Sequence, residues 1–190
     1  MARNRNAFIA LLTAAVFVGT GLMAANAQAD RLQLQTTTEV SIDYSGFLEL
    51  VAEVEPIRAA RLISLETFNE MKAESGTIVL DTRSALAYEM GHIEGAVNLP
   101  FSDFTDEKLA EIIPAKTTRV LIYCNNNFSD NTNPIMLKRV ELALNVPTFV
   151  NLWGYGYENI YELGSYTESS DPRVNWVSAS DSPFASVQEN

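Results

Sequence analysis

From Arg61 onward, short apolar or β-branched runs alternate with amphipathic stretches, and that rhythm predicts strands and helices taking turns in an α/β domain. The expected series opens with a strand at 61–63, a helix capped by Ser64 and carried by Phe68 and Met71, and a buried strand at 77–80 after a stop at Gly76. A short helix at 84–90, an extended piece at 96–99, a helix at 106–113 closed by Pro114 and a strand at 120–123 follow. Asn133 and Pro134 form a helix-start signal, so a helix is expected over 134–144, then a strand over 148–152 and a last helix near 158–163. Strands separated by helices imply an open, mostly parallel sheet with helices on both faces. Upstream, Phe47, Leu50, Val51 and Val54 fall at helical spacing, and Pro56 is expected to stop that helix.

The ends carry a different pattern. Residues 1–6 hold two arginines, 7–23 are apolar and uncharged, and Ala27-Gln28-Ala29 has the small-x-small form of a cleavage site. Residues 1–29 are therefore expected to be a signal peptide, removed on export to the periplasm or the medium. An N-terminal arm and helix at 30–60, a domain at 61–165 and a Ser- and Asp-rich tail at 166–190 complete the layout, with Val174, Trp176 and Val177 able to pin part of the tail.

Charge and rare residues then narrow the functions. The chain sets 13 Lys and Arg against 24 Asp and Glu, a balance that repels nucleic-acid phosphates and anionic membrane surfaces. Neither is an expected partner. One cysteine cannot form an intrachain disulfide and one histidine cannot build a multi-histidine metal site, so no metal or organic cofactor is implied.

Candidate chemistry gathers at Cys124. An apolar strand delivers it at its carboxyl end, the edge where open α/β sheets bind ligands. Backbone N–H groups of a curled loop and a helix start at Pro134 would favour a thiolate or persulfide there. The same position also suits a buried, inert thiol.

The stretch Val79-Leu80-Asp81-Thr82-Arg83, then Tyr88, then Gly91-His92-Ile93-Glu94-Gly95-Ala96-Val97-Asn98-Leu99-Pro100, then Tyr123-Cys124, resembles the rhodanese-like family in order and spacing. The resemblance covers roughly residues 61 to 165. It implies a rhodanese-like sheet, sulfane-sulfur transfer through a persulfide on Cys124, a structural pair in Asp81 and Arg83, and a structural role for His92. Asn125, Asn126, Asn127, Phe128, Ser129, Asp130 and Asn131 become the substrate-binding loop. A small sulfur-containing donor and a thiol or sulfite-like acceptor become the implied partners.

The loop departs from the family pattern. Residues 125–133 contain no Lys or Arg to hold an anionic donor, and Asp130, if it faced the sulfur, would raise the thiol pKa and repel thiosulfate. The asparagines offer neutral amides that would orient a persulfide, or else simply mark a turn-prone surface segment. A Cys-based phosphatase would need an arginine closing the loop, and none precedes Lys138 and Arg139. A thiol–disulfide exchange enzyme would need a resolving cysteine. Two readings stay open: a sulfurtransferase or sulfur carrier, and a catalytically silent rhodanese-like binding module.

Overall fold

A computed structural model describes residues 42–178. The signal-peptide reading, nearly all of the polar arm and the far end of the tail lie outside the described residues. The elements run α1 (Tyr44–Ala59), β1 (Leu62–Ile63), α2 (Leu65–Ala73), β2 (Thr77–Asp81), α3 (Ala85–Met90), β3 (Gly91–Ile93), β4 (Val97–Asn98), α4 (Asp106–Ile112), β5 (Arg119–Tyr123), α5 (Asn145–Gly154), β6 (Ile160–Leu163) and β7 (Trp176–Ser178). Ser64, Ser84 and Thr105 each accept a hydrogen bond from a backbone N–H in the first turn of the helix they precede, satisfying a donor that the helix itself leaves unpaired.

The main sheet has the order β1-β6-β5-β2-β4 and every neighbouring pair is parallel. Because side chains alternate along a strand, β5 feeds two separate cores. Val120 and Ile122 join Leu80, Ile160 and the buried residues of α4 and α5 on one face. Leu121 and Tyr123 join Val79, Leu163, Phe68 of α2 and Phe128 on the other. With both faces covered, the central strand carries no polar position between Val120 and Tyr123, as a buried parallel strand should. The fold is thus the mostly parallel, helix-covered sheet that the alternation predicts.

A second, two-stranded sheet is an addition to that reading. β3 pairs antiparallel with β7, and Val174, fully buried, anchors the approach. The segment after 165 is therefore tied to the domain at least as far as Ser178. Gly91 is needed at the seam, because a Cβ there would lie 2.5 Å from Nε1 of Trp176.

Three elements after Cys124 correct the expected series. Residues 134–139 form no helix; only a single 3-10 turn follows, at Val140–Leu142. The first long helix is α5, beginning at Asn145, so the expected strand at 148–152 is helix and the expected helix near 158–163 is strand β6. The reason is burial. Asn145, Thr148, Phe149 and Leu152 are all buried at helical spacing, whereas Met136, Val140 and Leu142 are exposed and give a helix over 134–144 no face to bury. Pro56 also fails to stop α1, which continues to Ala59. Its last turn is held from outside, by Arg58 donating two hydrogen bonds of 2.6 Å to the carboxylate of Glu162.

Candidate functional site

Strands β2 and β5 end side by side, with Asp81 opposite Tyr123, and the chain leaves each strand toward the same cavity. On the β2 side, Asp81 is fully buried and meets Arg83 through Nε at 3.0 Å and Nη2 at 2.6 Å. Tyr123 donates its hydroxyl proton to the same carboxylate at 2.5 Å, and Arg83 also donates to the Gly91 carbonyl at 2.7 Å. Burial, reinforced by the neighbouring Asp81 charge, pushes the Tyr123 phenol well above its ordinary range, so it acts as a fixed donor. Asn98 closes the group by donating to the carbonyls of Asp81 and Arg83 at 2.9 and 3.1 Å, a role the sequence reading did not assign. His92 stacks on Tyr88 at 3.8 Å, and its Nδ1 lies 2.8 Å from the Tyr88 carbonyl. It belongs to β3 and not to the cysteine loop.

Cys124 follows β5 directly, is 2% exposed and lines a cavity of about 640 Å³. Burial raises its thiol pKa; the backbone N–H groups of Asn145, Asn126 and Leu144 act in the opposite direction, and the Glu162 carboxylate adds to the rise. The helix start expected to face the sulfur is thus supplied, but by α5 at Asn145 rather than at Pro134. The carboxylate that bears on the sulfur is Glu162 and not Asp130, whose oxygens bond the Ser169 amide at 3.1 Å and the Ser169 hydroxyl. Glu162 and Asn145 went unassigned in the sequence reading because the segments that hold them were read as the wrong elements.

The seven loop positions separate into groups. Asn125 and Asn126 line the cavity with Cys124. Their amides also clamp the returning chain: Asn125 donates to the Met136 carbonyl at 3.0 Å, while Asn126 donates to the Lys138 carbonyl at 2.7 Å and accepts from the Lys138 N–H at 3.1 Å. Asn127 is buried, accepts from the Cys124 N–H at 2.9 Å and from Asn145 Nδ2 at 3.2 Å, and donates to the carbonyls of Leu163 and Ser165. Phe128 is core, and Ser129 donates its N–H to the Thr167 carbonyl. Asn131 accepts from the Leu137 N–H at 3.1 Å. Only the first two members therefore meet the cavity; the rest hold its frame. Loop amides bonded this way spend most of their capacity on the backbone, with Arg83 Nη1 on Asn125 Oδ1 at 3.3 Å and Asn145 Nδ2 on Asn127 Oδ1 as side-chain partners, which is a third role beside the two expected of them.

The helix expected over 134–144 would have carried Lys138. Lys138 is instead an exposed side chain on the cavity wall, brought there by the Asn126 clamp. Among the described residues, no group of three or more His, Cys, Asp or Glu could hold a metal ion, and no helix is long and apolar enough to cross a membrane.

A parallel α/β sheet that presents a cysteine at the end of a central strand to the backbone of a loop and a helix start, beside a buried Asp–Arg pair, defines a cysteine-loop α/β domain. Comparison with protein-family models matches residues 64–169 to the rhodanese-like domain, and the chain belongs to that family. It is 37% identical over 66 residues to M-phase inducer phosphatase 1 of Rattus norvegicus, covering 34% of this chain and 13% of that protein. It is 30% identical over 97 residues to tRNA uridine(34) hydroxylase of Chlamydia pneumoniae, covering 47% of this chain and 30% of that protein. The chain thus spans less than a third of the length of either curated relative. Among solved structures it is similar to thiosulfate sulfurtransferase from Pseudomonas aeruginosa, with a TM-score of 0.41 and 21% identity over 63% of this chain and 21% of that one.

Proposed function

We propose that this protein carries or transfers sulfane sulfur as a persulfide on Cys124. The observation that carries the reading is the placement of Cys124 directly after central strand β5 in the lining of a cavity of about 640 Å³, where the backbone N–H groups of Asn126, Leu144 and Asn145 favour the thiolate against the burial that disfavours it. Such donors stabilise an anionic sulfur without a basic side chain, and they do so at low reorganisation cost because helix α5 and the Asn127 bonds hold them in place. In the reaction the Cys124 thiolate attacks the outer sulfur of a donor, the donor's S–S bond breaks, and the remainder leaves with the electron pair. An acceptor thiol or sulfite then takes the outer sulfur and regenerates the thiolate. The loop holds no arginine at 125–133 to grip a phosphoryl group, so the likeness to a phosphatase is not carried over.

The proposal includes export, with residues 1–29 removed and the domain working in the periplasm or outside the cell. The features that support it are the paired arginines, the apolar run and Ala27-Gln28-Ala29. Its partners would be small sulfur compounds rather than nucleic acid or membrane.

The second reading, a silent binding module, is favoured by one observation: the thiol is 2% exposed and its pKa is raised by burial. Intact mass after incubation with thiosulfate or an organic polysulfide, beside a Cys124→Ala control, separates the two. Sulfur transfer predicts a gain of one sulfur atom that reductant reverses and the control lacks. No gain from any donor leaves the silent module. The same spectrum reads export, since protein recovered outside the cytoplasm should begin at Asp30.

A further inference from the structure

The cavity above Cys124 has walls of two kinds. Leu86, Met90, Phe101 and Met136 give it apolar sides, and Leu86, Met90 and Met136 stay 67, 37 and 52% exposed although each is a large apolar side chain. Leaving these side chains uncovered at the rim of a concave site marks a place where apolar surface is buried by something else. The charges sort just as clearly. Arg83 also lines the cavity, but its charge is paired with Asp81 and its remaining donors go to the Gly91 carbonyl and to Asn125 Oδ1, and Asp103 lies 3.7 Å from Lys108. Lys138 makes no ion pair among the described residues, so the wall carries one uncompensated positive charge. Its backbone is tied to the cysteine loop by the two Asn126 hydrogen bonds, and its side chain contributes to the cavity wall.

Thiosulfate matches this site poorly. It is a compact doubly charged ion in a chain of formal net charge −11, and its hydration would be stripped against apolar walls for one lysine. A cavity of about 640 Å³ falls within the size range that accommodates organic ligands. We propose that the sulfur donor is an organic persulfide with an apolar body and a single carboxylate, the body lying along Leu86, Met90, Phe101 and Met136 and the carboxylate on Lys138. This rests on the sulfur-transfer reading above. The step balances without an added oxidant: R–S–SH and Cys124–SH give R–SH and Cys124–S–SH, with the donor's S–S bond broken, the new S–S bond formed on Cys124, and the thiol proton ending on the leaving thiolate.

The test uses the persulfide of mercaptohexanoic acid, its uncharged amide twin and thiosulfate as donors, and the unreactive S-methyl thioether of mercaptohexanoic acid as a binding probe read by calorimetry. Loading of Cys124, followed by intact mass, should be about tenfold faster for the carboxylate than for the amide, as one charge-assisted contact requires. In Lys138→Met that ratio should fall to about one, and the thioether should bind wild type about tenfold more tightly than the variant. Equal rates for acid and amide in wild type, a ratio that survives Lys138→Met, or faster loading by thiosulfate than by the carboxylate persulfide would overturn the assignment. Loading by thiosulfate with no thioether binding would sink this donor class and leave sulfur transfer standing. Lysine-dependent thioether binding with no loading from any donor would do the reverse, leaving the ligand class and removing the transfer chemistry.

Discussion

The two strand ends that meet at the cavity handle polarity in opposite ways. After β2, the charges close on one another: Asp81, Arg83 and the Tyr123 hydroxyl saturate each other with contacts of 2.5 to 3.1 Å, and Asn98 seals the backbone beside them. After β5, the working groups are neutral amides that bond mostly the main chain, with Asn125 Oδ1 also accepting from Arg83 Nη1 at 3.3 Å. The backbone N–H groups near the thiol oppose the effect of burial, and the acidic influence on the thiol comes from Glu162, which is paired to Arg58. The sealed end is a fixed wall and the amide end is a frame around an available atom. Residues at the ends of adjacent strands thus serve rigidity on one side and chemistry on the other, according to whether their partners are mainly charges or peptide groups.

Removing charge from the sealed end gives the largest effect. Asp81→Asn strands the buried Arg83 guanidinium without a counter-charge, and urea unfolding should show a loss of about 3–5 kcal/mol. A loss below about 1 kcal/mol would mean that Arg83 reaches water and that the wall is not sealed. Asn127→Ala is next: it deprives the Cys124 N–H and the Leu163 carbonyl of partners inside the domain, for a cost of about 2 kcal/mol in the same measurement. Asn126→Ala should change stability by less than about 1 kcal/mol, because its bonds to Lys138 lie at the surface. Its effect should appear instead in hydrogen exchange, with faster exchange at the Lys138 amide and no change at Ile122. Protection of Lys138 that survives the substitution would remove the clamp from the account.

The sealed end was legible in the chain because local order carries it. Asp81, Arg83 and the run from Gly91 to Pro100 lie close in sequence, so their spacing already encodes their contacts. The parallel sheet was legible for a similar reason, since β1, β2 and β4 are short runs flanked by a capping serine, a glycine or a proline, and β5 carries an uninterrupted apolar run at Val120–Tyr123. The amide end was not. Asn133 and Pro134 carry a helix-start signal with no apolar stripe behind it that packs, and one misplaced helix shifted each later element by a place. Thr148, Val150 and their neighbours read as strand by β propensity, yet burial of Asn145, Phe149 and Leu152 on one face makes them helix. Glu162, Asn145 and Lys138 were lost with that shift, because their approach to Cys124 depends on tertiary folding and not on spacing.

The most direct test of the claim that Cys124 is an available sulfur is its alkylation by iodoacetamide in the folded protein, followed by mass across pH and compared with the chain unfolded in urea. Burial raises the thiol pKa, which lowers the thiolate fraction at neutral pH. The account predicts labelling of the folded protein that is slower than in urea at neutral pH and keeps climbing with pH beyond the range where an ordinary thiol has levelled off. A thiol that stays unlabelled at every pH at which the protein remains folded would contradict it and make Cys124 a core residue of a binding module.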